Sequence, residues 1–409
     1  MALITKESAL RELCGKVEKA KRCAIDLEFV PERTYEPVLC LVQVATEDGA
    51  NLVDPLALTD LSCLWDALNG DDMLVILHAG SQDLDLIYSM SGSVPQNVFD
   101  TQIAAGFAGF GYPVGYGKLL NQLLGVSIAK SESFTDWTTR PLTDSQIEYA
   151  VDDVEHLLPM YEKLTDKLKE VQRHDWVLEE CRRLSNIERY QHDKTQDFLR
   201  VKGASSLSRR GLAVLQCLCD WRNGEARRVN RPARSIISDN TLLELARKPP
   251  KDVNDIQRIR GVRIDQIRAH GNQMMQSIEQ GRRIQEEECP QWPSSRIPPK
   301  KEVLLADVLF AGLKVMTYDV DVATELVATR DDLQALVRLH REGKMDVARL
   351  PLLQGWRWEM AGKKLASLLD GSELTMTFSP RSDPPVKMQI NGDGSDSIET
   401  SVAVAETQD

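Results

Sequence analysis

Two carboxylates, Asp26 and Glu28, interrupt the apolar string CAIDLEF two residues apart. In an extended strand the side-chain period of two puts both on one face. Like charges that close repel and raise each other's pKa unless a cation sits between them, so the pair reads as half of a hard-metal site. A second acidic string, LVILHAGSQDLDLI, ends an apolar run at Leu77 and predicts a helix from about Ser81, with Asp83 and Asp85 in its opening turn. Carboxylates there also suit the helix dipole. The third string, QIEYAVDDVEHLL, offers two i,i+4 pairs, Tyr149 with Asp153 and Glu148 with Asp152. Each pair shares a helix face, and spacing alone does not choose between them.

The elements that must carry these groups follow from apolar periodicity. Cys23–Phe29, Val38–Ala45, Asn51–Val53 and Met73–Leu77 read as strands; Leu61–Leu68, Leu84–Met90, Thr101–Phe107 and Lys118–Leu124 read as helices. The mixture is α/β. It closes with one long helical stretch from Thr143 to Lys169, whose stripe includes Ile147, Ala150, Val151, Val154 and Leu158, with Thr143 and Asp144 as N-cap oxygens. From about Leu199 the strand signals give way to helical runs at Leu207–Trp221, Asn240–Ala246, Asp252–Ile259 and Ile264–Ile278. The run GFGYPVGYG (Gly109–Gly117) lacks the G-x-G-x-x-G spacing of a phosphate loop and reads as a connection. We therefore expect a domain over 1–175, a helical connector over 176–199, a helical domain over 200–285, a proline-rich linker over 286–301, a second helical domain over 302–375, and a disordered tail over 376–409, rich in Ser, Asp, Pro and Gly.

Length and charge agree with several units. The 409 residues are about 2.7 times a typical domain. A hydrophobic fraction of 42% and a charged fraction of 27% exclude wholesale disorder and collagen-like repeats. The eight cysteines form no C-x-x-C pair, so neither a zinc site nor a disulfide framework is expected. No apolar run is long enough to span a membrane and the N-terminal segment has no signal core, which predicts a cytoplasmic protein. Net charge is −12, but residues 1–170 hold 13 Lys and Arg against 27 Asp and Glu, while 200–283 hold 18 against 8. An acidic module is joined to a basic one suited to phosphate.

Taken together, D-x-E in a strand, H-A-G-S-x-D-L at a strand-to-helix junction and Y-x-x-x-D in a later helix resemble the three motifs of the DEDD exonuclease superfamily, tyrosine subgroup. LVQV (Leu41–Val44), VDPL (Val53–Leu56), FDTQ (Phe99–Gln102), KSES (Lys130–Ser133), TDW (Thr135–Trp137) and RPLT (Arg140–Thr143) make the resemblance specifically one to the ribonuclease D family. The run WRNGEARRVNRPARSII, Asp239-x-x-Leu242, Pro249-Pro250 and His270-Gly271 resemble the helicase-and-RNase-D C-terminal (HRDC) domain, and Leu352–Gly371 resembles the end of ribonuclease D chains.

The resemblance implies a ribonuclease-H-like α/β exonuclease domain, a mixed sheet flanked by helices, followed by two small all-α HRDC-type domains. It selects Asp26, Glu28, Asp83, Tyr149 and Asp153 as the catalytic set, leaving Asp85, Glu148 and Asp152 aside. It implies two divalent ions, Mg²⁺ or Mn²⁺, with Asp26 bridging them, Glu28 and Asp153 on the ion that activates water, and Asp83 helping to anchor the other. Tyr149 would orient that water, since an unperturbed phenol has a pKa near 10. The implied activity is 3′→5′ trimming of RNA, tRNA precursors in particular, with release of nucleoside 5′-monophosphates. Arg222, Arg227, Arg228, Arg231 and Arg234 are the candidate RNA-binding residues, arginine's forked donors being suited to phosphate. Trp356 and Trp358 read as core. A DNA-directed exonuclease with the same site, or a non-catalytic RNA-binding protein, are the alternatives.

Overall fold

The computed structural model describes residues 3–128, 135–191, 193–292, 298–345 and 350–391. The KSES string and the end of the expected tail lie outside these. The chain divides into two units, one of Met1–Asp100, Ser127–Tyr161 and Cys181–Arg296, the other of Thr101–Val126, Glu162–Glu180 and Ile297–Asp409 as far as it is described. Each unit gathers stretches that are far apart in the chain, whereas the sequence was read as contiguous domains. Periodicity marks elements along the chain, whereas compactness depends on which distant elements pack together.

The first unit is built on a six-stranded mixed sheet of β1 (Leu3–Ile4), β2 (Arg22–Val30), β3 (Val38–Thr46), β4 (Gly49–Val53), β5 (Leu74–Leu77) and β6 (Asn97–Asp100), in the order β1-β4-β3-β2-β5-β6. β2, β3 and β4 form an antiparallel meander; β5 and β6 extend it in parallel. The sequence reading missed β1 and β6, both too short to show a period. The helices of this unit are α1 (Glu7–Ala20), α2 (Ser62–Leu68), α3 (Ser81–Ser91) and, after α4 (Thr101–Phe107) and α5 (Tyr116–Leu124) of the second unit, α6 (Asp144–Glu155); α7 (Leu157–Glu170) and α8 (His174–Arg182) fall mostly in the second unit. The long helix expected over Thr143–Lys169 is two, interrupted at His156. Pro159 lacks the N–H that would bond the Glu155 carbonyl, so the ladder cannot run through.

α6 is fixed at its start by a capping box: Thr143 Oγ1 accepts from the Gln146 N–H at 3.2 Å, and Gln146 Oε1 accepts from the Thr143 N–H at 2.9 Å. It packs across β2, β3 and β4, over a core of Leu41, Leu52, Trp137, Leu142 and Ala150. Asp54 and Arg140 form a two-pronged pair of 2.8 and 2.7 Å beside it, holding the chain that leads into α6.

The same unit contains the basic helical part, where Arg209–Arg228 (α9), Asp239–Arg247 and Ile264–Arg283 close a core of Leu212, Leu215, Leu242, Leu245 and Ile278. In the second unit, Lys300–Asp319, Arg330–Arg341 and Lys363–Leu369 are helical. Trp356 is buried there as expected, stacked at 5.3 Å on Trp176 and edge-on to Phe107, with its indole donating to Glu180 at 2.9 Å; Trp358 is half-buried.

The expected disordered tail is corrected over 376–391. Glu373–Phe378 and Val386–Asn391 pair as an antiparallel hairpin, and its register aligns Leu374 with Ile390, Met376 with Met388, and Phe378 with Val386. These apolar residues alternate with polar ones, a period-two pattern hidden by the average polarity of the segment. Among the described residues no helix is long and apolar enough to cross a membrane, and all eight cysteines are free thiols, seven of them buried.

Candidate active site

β2 carries Asp26 and Glu28 on one face, while Ile25 and Leu27 are buried on the other. β2 pairs with β3 along its length but with β5 only over Arg22–Ala24, so the two carboxylates stand just past the end of the β5 ladder, where β2 runs on beyond its parallel neighbour. Asp153 projects from α6 onto the same place: oxygens of Asp26, Glu28 and Asp153 all lie within 4.8 Å of one another. The Tyr149 hydroxyl donates to the Asp153 carboxylate from one helical turn earlier. The Tyr149 ring lies 6.0 Å from that of Trp137, within the core beneath α6.

Asp83, in the first turn of α3, is buried at 8% exposure and stands outside the close trio but within electrostatic reach of Asp26 and Glu28. Its position depends on a turn the sequence reading did not resolve. Ala79 has a positive φ of 57°, unusual for a residue with a Cβ. Asp100, at the end of β6, accepts from the Ala79 N–H at 3.1 Å and the Gly80 N–H at 3.2 Å, holding the turn. A side chain at position 80 would run into Leu77, with a Cβ only 2.5 Å from Leu77 Cδ1. Asp100 is thus a positioning residue. The string FDTQ contained it, but nothing in its spacing tied it to HAGS, some 20 residues earlier.

All four carboxyls are shifted upward. Burial first, then Asp83, Asp153 and Glu28, raise Asp26 well above the ordinary range. Burial, then Asp153 and Asp83, push Glu28 to about 8. Burial lifts Asp83 to about 7, with Asp100 adding and a backbone hydrogen bond opposing. Burial lifts Asp153 to about 7 against the Tyr149 hydrogen bond, which favours its charged form. No Lys or Arg among the described residues offsets any of the four. Half-buried like charges without a counter-charge are costly, and an all-oxygen donor set of this kind fits a hard divalent cation. Asp152, Glu155 and His156 converge separately, on another side of α6. Asp85 and Glu148 are not part of the trio.

The arginine candidates divide. Arg222 is buried and pairs with Asp239 at 2.6 Å, a correction to its expected role on RNA. Arg228 grips Glu225 through two hydrogen bonds of 2.9 and 2.7 Å, and Arg234 reaches Asp239 at 3.1 Å. Arg227 and Arg231 are exposed. The Arg227 guanidinium lies 5.2 Å from the Tyr35 ring centre, and Tyr35 N–H donates to Asn230 at 3.3 Å. Tyr35 belongs to the loop that follows the D-x-E strand, so an arginine of the basic helices meets the segment that leaves β2.

The 3′-5′ exonuclease family model matches residues 1–169, and the HRDC domain model matches 211–278. The ribonuclease D of Sphingobium indicum is 37% identical over 373 residues, 90% of this chain and 94% of that one. The ribonuclease D of Escherichia coli is 34% identical over 375 residues, 90% and 98% of the two chains. The crystal structure of Escherichia coli RNase D, described as an exoribonuclease involved in structured RNA processing, superposes with a TM-score of 0.80 at 32% identity, covering 90% of this chain and 98% of that one. A crystal structure from Bifidobacterium adolescentis shares the fold, with a TM-score of 0.73 at 23% identity.

Proposed function

The chain belongs to the ribonuclease D family and is a 3′→5′ exoribonuclease; from that premise we propose that it trims the 3′ ends of tRNA precursors and related structured RNAs by hydrolysis at a two-metal centre, releasing nucleoside 5′-monophosphates. The observation that carries this reading is the meeting of Asp26, Glu28 and Asp153 around one point, with Asp83 in reach and no counter-charge from the described residues. When bound, a pair of divalent cations, Mg²⁺ or Mn²⁺, supplies an activated water and relieves charge on the leaving oxygen.

The protein's own residues do the rest. Asp26, Glu28 and Asp153 would hold the cations, joined by Asp83 from α3. Tyr149, already a donor to Asp153, would fix the orientation of the attacking water by a hydrogen bond rather than by removing its proton. Burial of the carboxyls keeps bulk water from weakening these contacts. The exposed Arg227 and Arg231 would contact the RNA backbone.

The test uses end-labelled RNA and matched DNA oligonucleotides, with and without a tRNA-like stem, in Mg²⁺, Mn²⁺ or chelator. The expected result is stepwise loss of 3′ nucleotides as 5′-monophosphates from RNA, abolished by chelator. Equal degradation of DNA would favour the sugar-indifferent alternative, and indifference to the stem would remove tRNA precursors as the preferred class.

A further inference from the structure

Gln43 lies in the middle of β3 and is the direct partner of Asp26 across the antiparallel β2–β3 ladder. Opposed residues of such a pair project to the same face, with Cβ atoms about 5 Å apart. The Gln43 side chain therefore stands beside that of Asp26, on the face that α6 covers. On its other flank it pairs with Leu52 of β4, part of the apolar core below α6.

Gln43 is 0% exposed, and neither Nε2 nor Oε1 has a hydrogen-bond partner. Its neighbours along the strand are Leu41, Val42, Val44 and Ala45, all buried. An apolar residue at position 43 would fill this place without the cost of stripping water from an amide. A buried amide left without partners points to a group that completes it in the working protein. The group nearest to hand is the carboxyl of Asp26. A carboxylate has about four lone-pair sites, so one that ligates cations can still accept from a donor, and no Lys or Arg of the described residues offsets its charge.

We propose, on the metal-nuclease reading above, that Gln43 is a positioning residue for the metal centre: its Nε2–H donates to a carboxylate oxygen of Asp26 when cations are bound and holds that carboxylate in a ligating orientation. Partners of this kind behind metal ligands commonly set affinity. Gln43 does not touch the RNA or the cation; it acts through Asp26.

The experiment replaces the amide by an apolar side chain of similar length, Gln43→Met, with Gln43→Leu as a second variant, in the full chain. Two quantities are measured: thermal unfolding in chelator, and Mn²⁺ affinity by calorimetry. The expected result is a cation-free melting temperature no lower than wild type, since an unpaired buried amide has been removed, together with Mn²⁺ binding weaker by about tenfold to a hundredfold. Wild-type binding of Mn²⁺, lost in Asp26→Asn, is the control. If wild type binds no Mn²⁺, the metal-nuclease reading fails and this inference with it. If wild type binds and both Gln43 variants bind equally well, this inference alone is overturned. It is likewise overturned if both variants lose cation-free stability or fail to fold, because the amide is then a structural component of the sheet.

Discussion

Two charged regions of one unit behave in opposite ways. Around β2, Asp26, Glu28, Asp83 and Asp153 gather without a basic side chain among the described residues to balance them, and every one is pushed toward its neutral form. Along α9 and the turn after it, Arg222, Arg228 and Arg234 each take an acidic partner from the same helical part, Asp239 or Glu225. The charge that is internally balanced serves the fold. The charge that is left unbalanced, at a cost to the fold, awaits something from outside. A high local density of one sign therefore identifies a functional surface only once its pairing is known.

The sharpest way to break the comparison is Asp26→Asn. It should lower exonuclease activity on labelled RNA by more than about a hundredfold, beyond what loss of a supporting residue behind a ligand costs, while the metal-free protein melts at or above the wild-type temperature. A variant that retains activity removes the carboxylates from the chemistry. Arg222→Ala probes the opposite region: leaving Asp239 without its buried partner should cost about 2–3 kcal/mol in urea unfolding, with little change in single-strand RNA affinity once the folded fraction is accounted for. Weakened RNA binding at unchanged stability would restore Arg222 to the RNA surface.

The third prediction concerns pH. The folded-state pKa values of Glu28, near 8, and of Asp83 and Asp153, near 7, lie above those of an unfolded carboxyl, so folding takes up protons. The stability this contributes is fully present below about pH 4 and is lost as pH rises through 7 and 8. In chelator, the melting temperature of wild type relative to Asp153→Asn should therefore fall between about pH 5 and pH 8.5, and saturating Mg²⁺ should flatten the difference. A relative melting temperature that climbs over that range would contradict the assigned direction. The smallest effect belongs to Arg227→Ala, which should leave stability within about 0.5 kcal/mol and lower the slope of log affinity for RNA against log salt by about one; an unchanged slope assigns Arg227 to its contact with Tyr35 alone.

Much of the α/β part was legible because its signals are local. The strands over 23–29 and 38–45 and the helix over 101–107 show as runs or periods within a few residues, and the structure has them in place. Other features failed for equally local reasons. β6 has four residues, too few to display alternation. The break at His156 follows from Pro159, a single missing donor inside an otherwise continuous apolar stripe. In the hairpin over 373–391, apolar residues at every second position were averaged away by their polar neighbours.

By itself the sequence determined the phase of each element: that Asp26 and Glu28 share a strand face, that Tyr149 and Asp153 share a helix face, and that Asp83 opens a helix. Phase is a property of neighbouring residues and survives without the fold. Only the tertiary structure decided which charges find partners. Asp100 reaches back to Ala79 across 21 positions, Tyr35 meets Arg227 across 192, and Gln43 is sealed beside Asp26 with no hydrogen-bond partner for its amide. Burial and pairing depend on contacts between segments far apart in the chain, and no pattern within either segment encodes the other.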